Sequence, residues 1–198
     1  VISDYSEPLF SLAFSPDGRT MAVGDKHDSV FLMDTVTRER IAILKGHKSP
    51  IECLDFNHDG TLLAAGASDG MITIWNMQDR KIEAHLEDPS LSDPLAHAGS
   101  VKSLVFSPDG ILLVSGGDET IKLWDTRSWE KKSMLFGHFQ NVRALAFSPD
   151  GAKLVSGSKD NNVMLWDVKT GQVLSMLYRH WNNEKRAPCA DTAPKFWP

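Results

Sequence analysis

Apolar residues along this chain come in short bursts that alternate with polar ones, and turn-forming residues separate the bursts. The stretch 142–177 shows the pattern in full. Val142 to Phe147 alternates, Ser148-Pro149-Asp150-Gly151 makes a tight turn, and Lys153 to Gly157 is a second run. Lys159-Asp160-Asn161-Asn162 turns again before a third run, Val163 to Trp166. Lys169-Thr170-Gly171 then leads into a fourth, Val173 to Leu177. A period of two over such short runs predicts β-strands. Pro and Gly in the turns supply the special backbone angles that chain reversal needs.

The unit recurs. Ser15-Pro16-Asp17-Gly18, Asn57-His58-Asp59-Gly60, Ser107-Pro108-Asp109-Gly110 and Ser148-Pro149-Asp150-Gly151 follow one another at intervals of about forty to fifty residues. Met33-Asp34, Trp75-Asn76, Trp124-Asp125 and Trp166-Asp167 run in phase with them. So do Gly46-His47, Ala96-His97, Gly137-His138 and Arg179-His180. Short strands at even spacing indicate a sandwich, barrel or propeller. A period near forty with four strands per period selects the propeller. The predicted class is therefore all-β, with about four β-propeller blades of four antiparallel strands each. The blades span about 9–44, 51–86, 101–135 and 142–177 within a propeller region 1–180, and 181–198 reads as a divergent, irregular tail. Glu87 to Pro94 reads as an enlarged surface loop between the second and third blades.

These co-phased motifs resemble the WD-repeat family over roughly Pro8 to His180. The resemblance implies a hydrogen-bonded set of His, Ser or Thr, Asp and Trp inside each blade, in which each buried polar group satisfies another. The fourth blade has His138, Ser156, Asp160 and Trp166. The third has His97, Ser115, Asp118 and Trp124, with a turn one residue shorter. The second has His47, Asp69 and Trp75, but Ala65 replaces the hydroxyl. The first keeps Asp28, with Val23 and Met33 at the hydroxyl and Trp positions. The network is thus expected to weaken towards the N-terminus. A hydrolytic triad or metal ligands are the competing readings of these groups. They lose because the same trio recurs in each good blade and the serine lies mid-strand. No catalytic residue, metal site or cofactor is expected.

The resemblance also implies a binding face, formed by the loops into the inner strands and the turns between second and third strands. Phe10, Glu52, Lys102 and Arg143 fall at the first kind of position. His27, Ser68, Gly117 and Lys159 fall at the second. Mixed charge with one aromatic suits proteins or peptides better than phosphates, and Phe10 and Arg143 are the first candidates for interface anchors. Phe136 and Phe139 flank Gly137-His138 and read either as an aromatic contact site or as loop packing. Lys131-Lys132, at an outer strand start, reads as solvated.

Composition narrows the function. The 198 residues are 41% hydrophobic and 24% charged, with a net charge of −5. That composition excludes a disordered chain, and mild acidity disfavours nucleic acid as the main partner. No apolar run reaches the length of a membrane helix. Cys53 and Cys189 make no disulfide framework and fit a reducing, cytoplasmic setting, with the nucleus as the alternative. Asp4 and Glu7 oppose a secretory leader, and Val1 in place of Met suggests a fragment or processed piece. Four blades are few for this family, whose rings generally hold seven or eight. Arg179-His180-Trp181-Asn182-Asn183 aligns with Gly137-His138-Phe139-Gln140-Asn141 as the opening of a fifth repeat, after which Pro188, Pro194 and Pro198 oppose strands. The expectation is an open arc or part of a larger ring. It is favoured as a truncated piece, with a homodimer completing the ring as the alternative. Its expected role is a non-catalytic protein–protein interaction scaffold or sensor module within a larger regulatory protein. A chromatin- or nucleic-acid-binding propeller and a propeller enzyme rank below it.

Overall fold

The tetrapeptide turns are built by their own side chains. Ser15 Oγ donates to the Asp17 carboxylate at 2.6 Å and accepts the Thr20 N–H at 2.9 Å, and the Arg19 N–H reaches the same carboxylate at 3.0 Å. Gly18 sits at φ 68°, a left-handed conformation that a Cβ disfavours. Ser107 with Asp109 and Ser148 with Asp150 repeat the arrangement. Asn57 replaces the serine in the second unit, its Oδ1 accepting the Leu62 N–H at 2.9 Å. The acid or amide after each third-strand Trp or Met closes the outer hairpin. Asp34 accepts the Val36 and Thr37 N–H groups, Asp125 those of Arg127 and Ser128, and Asn76 that of Gln78. These are Asx turns, which is the physical use of the Trp-Asp dipeptide.

In the computed structural model, which describes residues 9–178, these hairpins make four antiparallel four-stranded sheets. Blade one is β1 (Leu9–Phe14), β2 (Thr20–Asp25), β3 (Ser29–Asp34) and β4 (Arg40–Lys45). Blade two is β5 (Ile51–Phe56), β6 (Leu62–Ala67), β7 (Ile72–Asn76) and β8 (Lys81–Leu86). Blade three is β9 (Ser103–Phe106), β10 (Leu112–Gly116), β11 (Thr120–Asp125) and β12 (Lys131–Phe136). Blade four is β13 (Val142–Phe147), β14 (Lys153–Ser158), β15 (Asn162–Asp167) and β16 (Val173–Tyr178). Each sheet is a simple meander in sequence order, and there is no helix among the described residues. The predicted tail 181–198, with His180, lies outside them.

Blades pack side by side, with β1 beside β5, β5 beside β9 and β9 beside β13. Each interface carries its own apolar core. Val30, Leu32 and Leu44 of blade one meet Leu54, Phe56 and Trp75 of blade two. The same layering joins blades two and three around Trp124, and three and four around Trp166. Each buried Leu, Ile or Val contributes about 1.5–3 kcal/mol. A glycine on the second strand lets the next blade approach. A Cβ added to Gly24 would lie 2.7 Å from Ile51, one added to Gly66 2.6 Å from Val101, and one added to Gly116 2.7 Å from Val142.

Glu87 to Pro94 is a surface loop, exposed along most of its length, but one of its residues is tied into the fold. Asp88 is buried there. It pairs with Lys122 Nζ at 2.6 Å and with Lys131 Nζ, while Ser90 donates to it at 2.6 Å. Lys122, buried on β11, also donates to the Ala96 carbonyl at 2.8 Å. Lys131 is therefore an ion-pair partner and not a solvated lysine. Lys132 alone of that pair is exposed. A buried carboxylate has to be matched, and here two lysines from the following blade match it and clamp the segment down.

Candidate functional site

Two sets of groups stand out: the polar chains inside the blades and the rim where the inner strands begin. In blade four, Trp166 Nε1–H donates to Ser156 Oγ at 2.8 Å, Ser156 Oγ lies 2.7 Å from His138 Nε2, and His138 Nδ1 lies 2.8 Å from the Asp160 carboxylate. Blade three repeats the chain through Trp124, Ser115, His97 and Asp118, at 2.8, 2.7 and 3.3 Å. The longer last link fits the shorter turn, whose Asp118 also accepts the Thr120 hydroxyl at 2.7 Å. The order Trp N–H to Ser, Ser O–H to His Nε2, His Nδ1–H to Asp uses every donor once. Burial holds the His97 pKa below its ordinary value against the pull of Asp118. Burial alone would raise the Asp160 carboxyl, but the Asn162 and Phe139 N–H groups and His138 together hold it below the usual range. Ser115 and Ser156 are buried and engaged on two sides. Neither oxygen can meet a substrate, so the arrangement is a brace and not a nucleophile.

Blade two holds the incomplete version. His47 is buried against Trp75, ring centroids 5.6 Å apart, and neither ring nitrogen has a hydrogen bond. Asp69 accepts the Met71 N–H at 3.1 Å, as Asp160 accepts that of Asn162 at 2.8 Å, but it makes no hydrogen bond to His47. Burial pushes the His47 pKa down to about 4, and Asp69 only partly offsets it. In blade one Asp28 accepts the Ser29 hydroxyl at 2.6 Å. Among the described residues no three His, Cys, Asp or Glu side chains converge as metal ligands, and burial pushes the Cys53 thiol up, away from its reactive form.

The rim residues are positioned by a feature the periodicity did not reveal. Strand registers shift between Leu9 and Ser11, between Ile51 and Cys53, and between Val142 and Ala144. Phe10, Glu52 and Arg143 are the extra residues of these β-bulges, which re-aim a side chain at a strand end. Lys102 stands at the equivalent place, its N–H bonded to the Gly116 carbonyl at 2.8 Å. Leu9, Ile51 and Val142 pair with Asp25, Ala67 and Ser158, so His27, Ser68 and Lys159 lie just beyond on the same end. Gly117 is buried against the His97 ring and presents nothing. Lys102 and Glu52 neutralise each other across blades two and three at 2.8 Å. Phe10 and His27 are exposed on blade one, Arg143 and Lys159 on blade four. Phe139 is 73% exposed and its N–H is held by Asp160 at 3.0 Å. It is therefore an accessible aromatic near Lys159, and Phe136 on β12 is 59% exposed. A concavity lies on the outer edge between blades two and three. Glu83, Glu87, Asp93, Glu130 and Trp129 line it.

The family model "WD domain, G-beta repeat" matches residues 1–34, 38–76, 90–125 and 129–167. Each match ends on a third strand, and the second and fourth open with the outer strand of the preceding blade, β4 and β12. Periodic tryptophan protein 2 homolog of Schizosaccharomyces pombe is 28% identical over 128 residues, 64% of this chain and 14% of that protein. Apoptotic protease-activating factor 1 of Homo sapiens is 38% identical over 94 residues, 47% of this chain and 7% of that protein. The chain thus spans a small part of the length of these curated relatives. A chain in a crystal structure of the mitotic checkpoint complex superposes with a TM-score of 0.78 at 25% identity, over 88% of this chain and 52% of that one.

Proposed function

The chain belongs to the WD40 repeat family, whose members are generally non-catalytic scaffolds for other proteins, and on that footing we propose that it is a protein-recognition module using the rim of its inner strands. The observation that carries the reading is the set of bulges. They turn Phe10, Glu52 and Arg143 onto the same end as the exposed turns. On blade four the exposed groups are Phe139, Arg143 and Lys159, an aromatic beside two cations. Aromatic and Arg side chains dominate interface energies. Two cations are too few for phosphate-backbone binding, which needs many, but they suit a peptide with an acidic residue next to an apolar one. The cytoplasmic or nuclear setting suggested by cysteine usage belongs to the same proposal.

The test is an immobilised peptide library probed with the chain and with a Phe139→Ala/Arg143→Ala/Lys159→Ala variant. The expected result is selective retention by peptides pairing acidic with apolar residues, reduced at least tenfold in the variant. Equal binding by both chains would overturn the use of this rim. Salt-sensitive retention on single- or double-stranded DNA above any peptide signal would favour the nucleic-acid reading.

A further inference from the structure

We propose that the groove on the outer edge between blades two and three docks an arginine-bearing segment of a partner protein, with a guanidinium stacked on Trp129 and held by the carboxylates around it. The inference is independent of the rim of the inner strands.

The groove exists because this junction is built differently from the other two. Sixteen residues (87–102) separate β8 from β9, whereas five separate β4 from β5 (46–50) and β12 from β13 (137–141). The longer segment supplies Pro89, Leu91 and Pro94 to the lining, and the turn between β11 and β12 supplies Trp129 and Glu130. They enclose a space of about 910 Å³, within the range of ligand-binding clefts. The two sides are tied together. Lys131 on β12 pairs with Asp88 of the segment, Lys122 pairs with the same carboxylate at 2.6 Å, and the Asp88 N–H donates to the Leu95 carbonyl at 2.8 Å. A site fixed in advance loses less freedom when it binds.

The lining is one-sided in charge. Lys131, the only lysine or arginine among the described lining residues, is engaged by Asp88. Glu83, Glu87, Asp93 and Glu130 remain. All four are exposed, and none makes an ion pair among the described residues. No three of them converge as metal ligands, so the charge is spread along the groove and suits an extended cationic chain better than a single ion.

Trp129 supplies the other feature. It stands where the outer turns of blades one, two and four carry Arg38, Arg80 and Gly171, and like them it takes a left-handed conformation, at φ 59°. Its N–H donates to the Asp125 carbonyl at 2.8 Å, and its half-buried ring packs on the core between blades two and three. The indole is therefore fixed while it lines the groove. A guanidinium stacks on an aromatic face and donates in a planar fork to carboxylates. Arginine thus satisfies both features at once. An acidic segment would be repelled by the carboxylates, and an apolar one would leave them without a partner.

Fluorescence anisotropy tests this with a labelled peptide of alternating arginine and glycine, beside the same peptide with neutral citrulline in place of arginine. The expected result is saturable binding of the arginine peptide and at least tenfold weaker binding of the citrulline peptide. Two variants should each weaken the arginine peptide at least tenfold at unchanged far-UV circular dichroism. Trp129→Gly removes the indole and leaves the residue type that blade four carries at this turn, Gly171. Glu83→Gln/Glu87→Gln/Asp93→Asn/Glu130→Gln removes the charge and keeps the shape. The rim variant Phe139→Ala/Arg143→Ala/Lys159→Ala should bind the peptide as the parent does, which separates this groove from the rim. No saturation up to about 1 mM peptide, equal binding of the citrulline peptide, undiminished binding by either groove variant, or loss of binding in the rim variant would each overturn the proposal. Tighter binding of a peptide of residues 181–190, which carries Lys185-Arg186, would overturn it in favour of the chain's own tail.

Discussion

Ser115→Ala is the sharpest probe of the polar chains inside the blades. The hydroxyl it removes is fully buried. It takes the Trp124 Nε1–H at 2.8 Å and meets His97 Nε2 at 2.7 Å. Both groups lose their partner at once, because the void left by one oxygen is too small for a water. Leaving a buried polar group unsatisfied costs about 1–3 kcal/mol, so two such groups together should cost about 2–6 kcal/mol. That is a large share of the roughly 5–15 kcal/mol by which a domain is stable. Alanine itself fits the site sterically, since Ala65 occupies the matching place in blade two with no exposure. The loss can then be assigned to hydrogen bonding and not to packing. Urea unfolding followed by tryptophan fluorescence reads the effect. With a slope of about 2 kcal/mol per molar urea, the midpoint should fall by about 1–3 M at unchanged slope. A midpoint within about 0.2 M of the parent would refute the reasoning, because the serine would then be dispensable.

The converse substitution, Ala65→Ser, offers the unpartnered His47 ring a hydroxyl, and should raise the urea midpoint by the equivalent of about 1 kcal/mol; a lowered midpoint would count against it. The neutral His47 ring contributes stability that is present in full above pH 6.5 and lost as pH falls towards about 4, up to about 3 kcal/mol. Burial pushes Asp55 up to about 6, so its protonation stabilises the fold over much of the same window and masks the effect in the parent alone. The stability of His47→Leu relative to the parent should therefore rise as pH falls from 7 to 4, and a pH-independent difference between the two melting curves would exclude the effect. Asp88→Asn leaves Lys122 buried without its counter-ion and should cost about 3–5 kcal/mol in the same urea assay, whereas a loss below about 1 kcal/mol would show that the clamp carries little.

The fold was legible because three motifs share one period, and each motif has a local cause. The Ser-Pro-Asp-Gly turns and the Asx turns are made within a few residues, so sequence order alone displays them. The His, Ser, Asp and Trp of blades three and four were visible for the same reason. Blade two shows where such reading stops. Ala65 announced a missing hydroxyl, but nothing in the sequence showed that the Asp69 link would fail as well and leave both nitrogens of His47 bare. The Asp88 clamp joins residues far apart in sequence, and no spacing rule pairs Asp88 with Lys122 and Lys131. The bulges at Phe10, Glu52 and Arg143 were equally hidden, since an extra residue interrupts the alternation only once registers are known. Arg38, Arg80 and Trp129 adopt left-handed angles near φ 60° at the outer turns, where blade four has Gly171. The glycine signal used elsewhere to find turns was absent at those three.

The blades stand side by side, with Ile51, Val101 and Val142 each against a second-strand glycine of the preceding blade. Nuclear Overhauser spectra of the methyl-labelled chain measure that contact directly. The predicted result is cross-peaks from the Ile51, Val101 and Val142 methyls to the α-protons of Gly24, Gly66 and Gly116, respectively. Their absence, with those methyls instead close to residues of non-neighbouring sheets, would contradict the arrangement.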